Sequence, residues 1–72
     1  MKIQDLTNNS TFVFNVPFRI YQYIPSYDSN EEGEMLLRYD SETDLTYDFD
    51  LDEEEITAIN MSDDNFIEIE FC

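Results

Sequence analysis

The chain has 72 residues, of which eighteen are Asp or Glu, three are Lys or Arg and none is His, giving a formal charge of -15. At this length one domain, residues 1–72, is the limit, and only about 60% of the unfolded chain's surface can be buried, which disfavours a deep catalytic cavity. Direct contact with DNA, RNA or an anionic membrane is disfavoured as well, because affinity there comes mainly from Lys and Arg on phosphate.

The composition is not that of a disordered acidic tail. Hydrophobic residues make up 42% and aromatics 15%, with a single Gly and two Pro, whereas disordered chains combine high charge with few aromatics. The lone cysteine, Cys72, leaves no partner for an intramolecular disulfide. Met1 to Asp5 contain no apolar run of signal-peptide type. The sequence therefore predicts a cytoplasmic protein. The glycosylation sequons at Asn8, Asn9 and Asn60 carry no meaning in that setting.

In chain order, Ile3 and Leu6 have helical spacing, and Asn8-Asn9 reads as a stop, so one or two helical turns are predicted at the start. Residues 11–24 read as a strand, with Phe12, Phe14, Val16, Phe18, Ile20 and Ile24 inward. Thr11, Asn15, Arg19, Tyr21 and Tyr23 fall on the other face, and Pro17 imposes an edge, bulge or bend. Residues 26–33 are turn-rich, with Gly33 able to supply a positive φ. A second strand is predicted over 34–40, with Met35, Leu37 and Tyr39 on one face and Leu36 and Arg38 on the other. Asp40 to Asp44 is a polar turn.

The cleanest alternation follows. Leu45, Tyr47, Phe49 and Leu51 interleave with Thr46, Asp48, Asp50 and Asp52, the pattern of a half-buried strand with an acidic outer face. Glu53 to Glu55 read as a loop or one helical turn. Residues 56–61 are predicted as a strand carrying a bulge, since Ile56 and Ile59 differ in parity. An acidic turn at 62–65 leads into Phe66–Phe71, with Ile67, Ile69 and Phe71 inward and Glu68 and Glu70 outward. The predicted fold is mainly β, or α+β with one short N-terminal helical turn. About five short antiparallel strands would form a meander, either a small open barrel or a curled sheet.

Catalytic material is scarce. Without His there is neither a Ser-His nor a Cys-His arrangement. Asp48-x-Asp50-x-Asp52 resembles the opening of an EF-hand loop, but the sixth position is Glu53 where Gly is required and the twelfth is Ile59 where Glu is required. No enzymatic activity, cofactor or metal centre is predicted, and a loose Ca²⁺ site is the outlying alternative.

Charge is the informative feature. From Asp40 onward there are thirteen Asp or Glu and no Lys or Arg. Alternate residues on one strand face lie about 6.6 to 6.8 Å apart, so Asp48, Asp50 and Asp52 would form a regular row and Glu68 and Glu70 a shorter one. Glu53, Glu54, Asp63 and Asp64 would sit at strand ends. These nine carboxylates are the predicted partner-binding set, fitted to a basic host protein. The competing explanation is solubility, because outward acids also keep small β-rich proteins from pairing edge to edge. A net charge of about 2 to 8 in magnitude normally suffices for that purpose.

In size, charge and compactness the chain resembles the small acidic inhibitors of bacteriophages and mobile elements, notably anti-restriction and anti-CRISPR proteins that mimic DNA. Glu55-Ile56-Thr57-Ala58-Ile59 followed by Phe66-Ile67-Glu68-Ile69-Glu70 also looks like the closing hairpin of short phage proteins from Gram-positive hosts. The resemblance implies inhibition of a host nuclease, CRISPR effector or other nucleic-acid-binding protein by occupation of its DNA or RNA site. It carries no individual functional residue. The rival expectation is a protein–protein interaction or assembly module, with a homodimer as one form. Its contact would be the least acidic face, Arg19, Tyr21, Tyr23, Leu36 and Arg38, since aromatics and Arg are enriched at interface hot spots.

Overall fold

The structure, a computed structural model, describes residues 1–28 and 30–72, and of Phe14 the backbone alone. The inward placement of Phe14 and the part of Ser29 in the 26–33 turn therefore lie outside the described residues. Two short helices, α1 (Gln4–Thr7) and α2 (Ser10–Asn15), precede strands β1 (Phe18–Ile24) and β2 (Glu34–Asp40). A 3-10 helix, Phe49–Glu53, then leads to β3 (Ile56–Met61) and β4 (Ile67–Phe71).

The four strands form one open sheet in the order β2-β1-β4-β3. The β1–β2 and β3–β4 pairs are antiparallel, and β1–β4 is parallel. The predicted five-stranded antiparallel meander is thus corrected to a four-stranded mixed sheet in an α+β fold. The central strands are the most buried ones. Phe18 and Ile20 on β1 and Ile69 and Phe71 on β4 are all buried, and strands shielded on both edges suit such residues. The more exposed β2 and β3 become the edges, and no barrel closes.

The single strand predicted over 11–24 is two elements. The Asn9 side chain accepts a hydrogen bond from the Phe12 amide at 3.1 Å, capping α2. Pro17 pushes Val16 out of the helical region, to φ -125° and ψ 117°, and ends the helix there. The Asn9 cap and a proline two residues after Asn15 override the period-two pattern of Phe12, Phe14 and Val16. Phe12 still reaches the core, with its ring centroid 5.2 Å from that of Phe18.

The alternating segment 45–52 is not a strand. The Asp48 side chain accepts from the Asp50 amide at 3.0 Å and closes the 3-10 helix. Asp competes in this way with a strand ladder for the backbone donors around it. Leu51 still inserts into the core and Tyr47 packs against it, but Leu45 and Phe49 are exposed.

Ile3, Phe18, Ile20, Leu51, Ile69 and Phe71 form the buried core, with Leu6, Phe12, Tyr39, Tyr47, Ile56 and Ile67 packed around it. Full burial of each such side chain is worth about 1.5 to 3 kcal/mol. Ile3 is carried in by backbone bonds from its own amide to the Glu54 carbonyl at 2.9 Å and from the Ile56 amide to the Met1 carbonyl at 2.8 Å. The N-terminal turn and the 3-10 helix thereby cover one face of the sheet, and its other face is left open.

Bulges set the faces. Ile20 opposes Tyr39 while Tyr21 opposes Leu37, so Arg38 is the extra residue on β2. This returns Tyr39 to the core face and leaves Met35 and Leu37 on the open one, which corrects the predicted grouping. A second irregularity between Ile56 and Ala58 leaves Thr57 extra on β3, as the parity change at Ile56 and Ile59 predicted. Ile24, predicted inward, is exposed, because the covering layer ends before the tip of the β1–β2 hairpin. Among the described residues the one with positive φ is Asn65, at 67°, in the β3–β4 turn. Gly33 is required for space instead, since a Cβ there would lie 2.5 Å from the Ile24 carbonyl oxygen.

Candidate functional site

The predicted acidic row does not exist as a row. With 45–52 off the sheet, Asp48, Asp50 and Asp52 lie on a tight turn and do different work. Asp48 caps that turn and lies 3.6 Å from the Arg38 guanidinium. Asp50 is exposed. Asp52 turns inward, where its Oδ1 accepts from the Thr7 hydroxyl and from the Tyr47 hydroxyl, both at 2.8 Å. Burial, and then the bond to Asp52, push the Tyr47 phenol well above the usual tyrosine range. Glu53 meets Lys2 at 3.2 Å, and the neighbouring Glu55 meets the N-terminal amine at 3.2 Å.

The β3–β4 turn carries Asp63 and Asp64. Arg19 donates through Nη2 to Asp64 Oδ2 and through Nε to Asp40 Oδ2, each at 3.0 Å, and its guanidinium lies 3.7 Å over the Phe66 ring. The Ser62 hydroxyl and the Arg19 guanidinium hold Asp64 below the usual carboxylate range. Burial works to raise Asp40, but the Glu42 amide and Arg19 outweigh it and hold it low. Glu68 and Glu70 project from β4 on the open face, next to Arg19 and Tyr21 in register. Of the nine predicted carboxylates, Asp50, Asp52, Glu54, Asp63, Glu68 and Glu70 meet no cation among the described residues.

The same accounting applies to the whole chain. Lys2, Arg19, Arg38 and the N-terminus engage Glu53, Asp40 with Asp64, Asp48 and Glu55 in turn. Five of the eighteen carboxylates meet a cation, and thirteen meet none among the described residues.

The alternative interface set is split by the Arg38 bulge. Arg19, Tyr21 and Tyr23 lie on the open face. Leu36 and Arg38 lie on the other, where the Arg38 guanidinium donates to Gln22 Oε1 at 2.7 Å. The apolar surface is instead concentrated at the outer half of the β1–β2 hairpin. There Tyr23, Ile24, Met35, Leu36 and Leu37 are all exposed, on both faces of the sheet.

Sequence reasoning missed a pocket of about 210 Å³, walled by Phe18, Tyr39, Tyr47 and Phe49, with Thr7 and Asp52 among its polar lining. Its signal lay in the Tyr47-x-Phe49 alternation with Asp52 three residues on, which read as strand core and solvated face. Among the described residues no three Asp, Glu or Cys side chains converge as a metal site, and no helix is long and apolar enough to cross a membrane. Comparison with known proteins finds no matching family model, no matching curated protein and no matching solved structure.

Proposed function

We propose that this chain is a non-enzymatic acidic inhibitor of bacteriophage or mobile-element type. It mimics nucleic acid and occupies the basic groove of a host nucleic-acid-binding enzyme, of restriction or CRISPR kind, in the bacterial cytoplasm. The observation that carries this reading is the charge accounting. Every cationic side chain is engaged internally, and among the described residues thirteen carboxylates meet no cation. A duplex offers its partners a similarly dense array of negative charge.

The contact set is narrower than the sequence implied. Asp50, Asp63, Glu68 and Glu70 are the carboxylates to vary, because Asp48, Asp52 and Asp64 hold the fold. The protein is used as bait in bacterial lysate at low salt, with and without competing duplex DNA. Capture of a nucleic-acid enzyme that DNA or salt displaces supports the reading. A variant with all four neutralised (D50N, D63N, E68Q, E70Q) should then associate at least about tenfold more slowly. Failure to retain any nucleic-acid-binding protein at low salt overturns it.

A second reading, a self-assembling interaction module whose acidity serves solubility, is favoured by one observation. Strand β2 is a free sheet edge with three successive exposed apolar residues, Met35, Leu36 and Leu37.

A further inference from the structure

We propose that the pocket between α1, the starts of β1 and the 3-10 helix, and the end of β2 binds an organic cation, the head of a lysine- or arginine-type side chain or a small quaternary ammonium. Its walls have the required geometry. Tyr39 and Tyr47 meet with centroids 5.0 Å apart and planes at 87°, and Tyr47 and Phe49 meet at 5.5 Å and 81°. Rings at near right angles are adjoining walls, not a stack. Phe18 continues the wall from Tyr39 at 5.6 Å and 41°. Aromatic faces are the negative poles of their quadrupoles, and a cation within about 6 Å of a ring centroid is attracted, more strongly as water is excluded.

The polar lining agrees in sign. Both hydrogen bonds to Asp52 fall on Oδ1, and among the described residues neither a hydrogen bond nor an ion pair falls on Oδ2. An apolar occupant would desolvate that carboxylate without compensation, and an anion would meet it directly. A cation satisfies it. None of the protein's own three cationic side chains lines the pocket. Arg19, by contrast, already covers the ring of Phe66. Phe49 is exposed and forms the outer wall, so the pocket opens to solvent. Its volume of about 210 Å³ is below the roughly 300 to 1,000 Å³ of drug-sized sites, which suits one side-chain head.

The inference rests on the proposed function only for one source of the cation, a side chain of a basic partner. The test therefore uses free probes, so it stands or falls without that partner. Amide resonances are followed by NMR at constant ionic strength during titration with choline, Nα-acetyl-arginine amide, Nα-acetyl-lysine amide and the neutral isostere 3,3-dimethylbutan-1-ol. The cations should produce saturable shifts centred on Thr7, Tyr47 and Phe49. The neutral isostere should bind about threefold to thirtyfold more weakly than choline, the range that one cation–aromatic contact supplies. Tighter binding of the blocked amino acids than of choline identifies a protein side chain as the source, and the reverse order a small ammonium. The exposed Phe49→Ala change, which spares the core, should weaken the cations by a similar factor, and Asp52→Asn should do so as well. Equal binding of choline and its neutral isostere, no saturable shift with any cation, or unchanged affinity in folded Phe49→Ala each overturns the proposal.

Discussion

Tyr47 stands at the centre of a side-chain network that ties the N-terminal turn to the 3-10 helix, since Thr7 and Tyr47 share one oxygen of Asp52. Burial and that bond raise the phenol above the ordinary tyrosine value of about 10. A raised folded pKa contributes stability that is fully present below the unfolded pKa and is lost as pH rises through the folded one. When tyrosinate absorbance is followed through alkaline pH, Tyr47 should therefore give a late step, and its ionisation should coincide with loss of structure. Tyr47→Phe should remove the late step and cost about 1.5 to 3 kcal/mol in denaturant unfolding, the range for a hydrogen bond to a charged group. A single common titration for all five tyrosines would show that Tyr47 is not held in this way.

The β2 edge decides between the two functional readings at the level of elements. Antiparallel pairing of β2 with a second copy about Leu36 sets Leu36 against Leu36, Met35 against Leu37 and Glu34 against Arg38, twice. Glu34, Leu36 and Arg38 share one face, because Arg38 is the bulged residue and reaches back to Gln22 beside Leu36. The bulge itself resists edge pairing, but it lies at the limit of the regular stretch from Glu34 to Leu37. If β2 is the interface, Glu34→Arg and Arg38→Glu should each abolish the dimer in sedimentation velocity, and mixing the two should restore a heterodimer. A strictly monomeric wild type at millimolar concentration excludes it. Legibility in the sequence follows from the same local forces. The strands predicted over 34–40, 56–61 and 66–71 are readable as elements because apolar, β-prone runs there are bounded by turn residues, although the bulges at Arg38 and Thr57 shift which faces their side chains take. The 45–52 alternation misled because Asp48 spends its carboxylate on its own backbone, and the 11–16 pattern because Asn9 caps a helix that Pro17 then ends. Strand order was not readable, since β4 enters between β1 and β3 through contacts distant in sequence. The predicted acidic row failed with its strand. Glu68 and Glu70 kept their place because β4 did.

Thirteen carboxylates that meet no cation among the described residues sit on a body measuring 41 × 27 × 22 Å. The Debye length is about 30 Å at 0.01 M salt, longer than the two smaller dimensions, and about 8 Å at 0.15 M, shorter than the smallest. Repulsion should therefore act across the whole domain at low salt and only between neighbours at physiological salt. Each 1 kcal/mol relieved raises the melting temperature of a domain this size by about 4 to 8 °C. A scan from 0.01 to 0.15 M NaCl should show the melting temperature climbing by several degrees and then levelling towards 1 M. A flat profile would mean that the carboxylates are locally compensated and that the charge accounting behind the proposed function is wrong. The sign of the salt effect on association then separates the two readings. A complex with a basic groove loses released counterions as its driving force and weakens as salt rises. Pairing of two chains that each carry -15 is opposed chiefly by their mutual repulsion, so it strengthens over the same range even though its two Glu34–Arg38 contacts weaken. One titration of fold stability and association against salt thus measures the consequence of the charge for the domain and identifies which kind of partner the surface is built to meet.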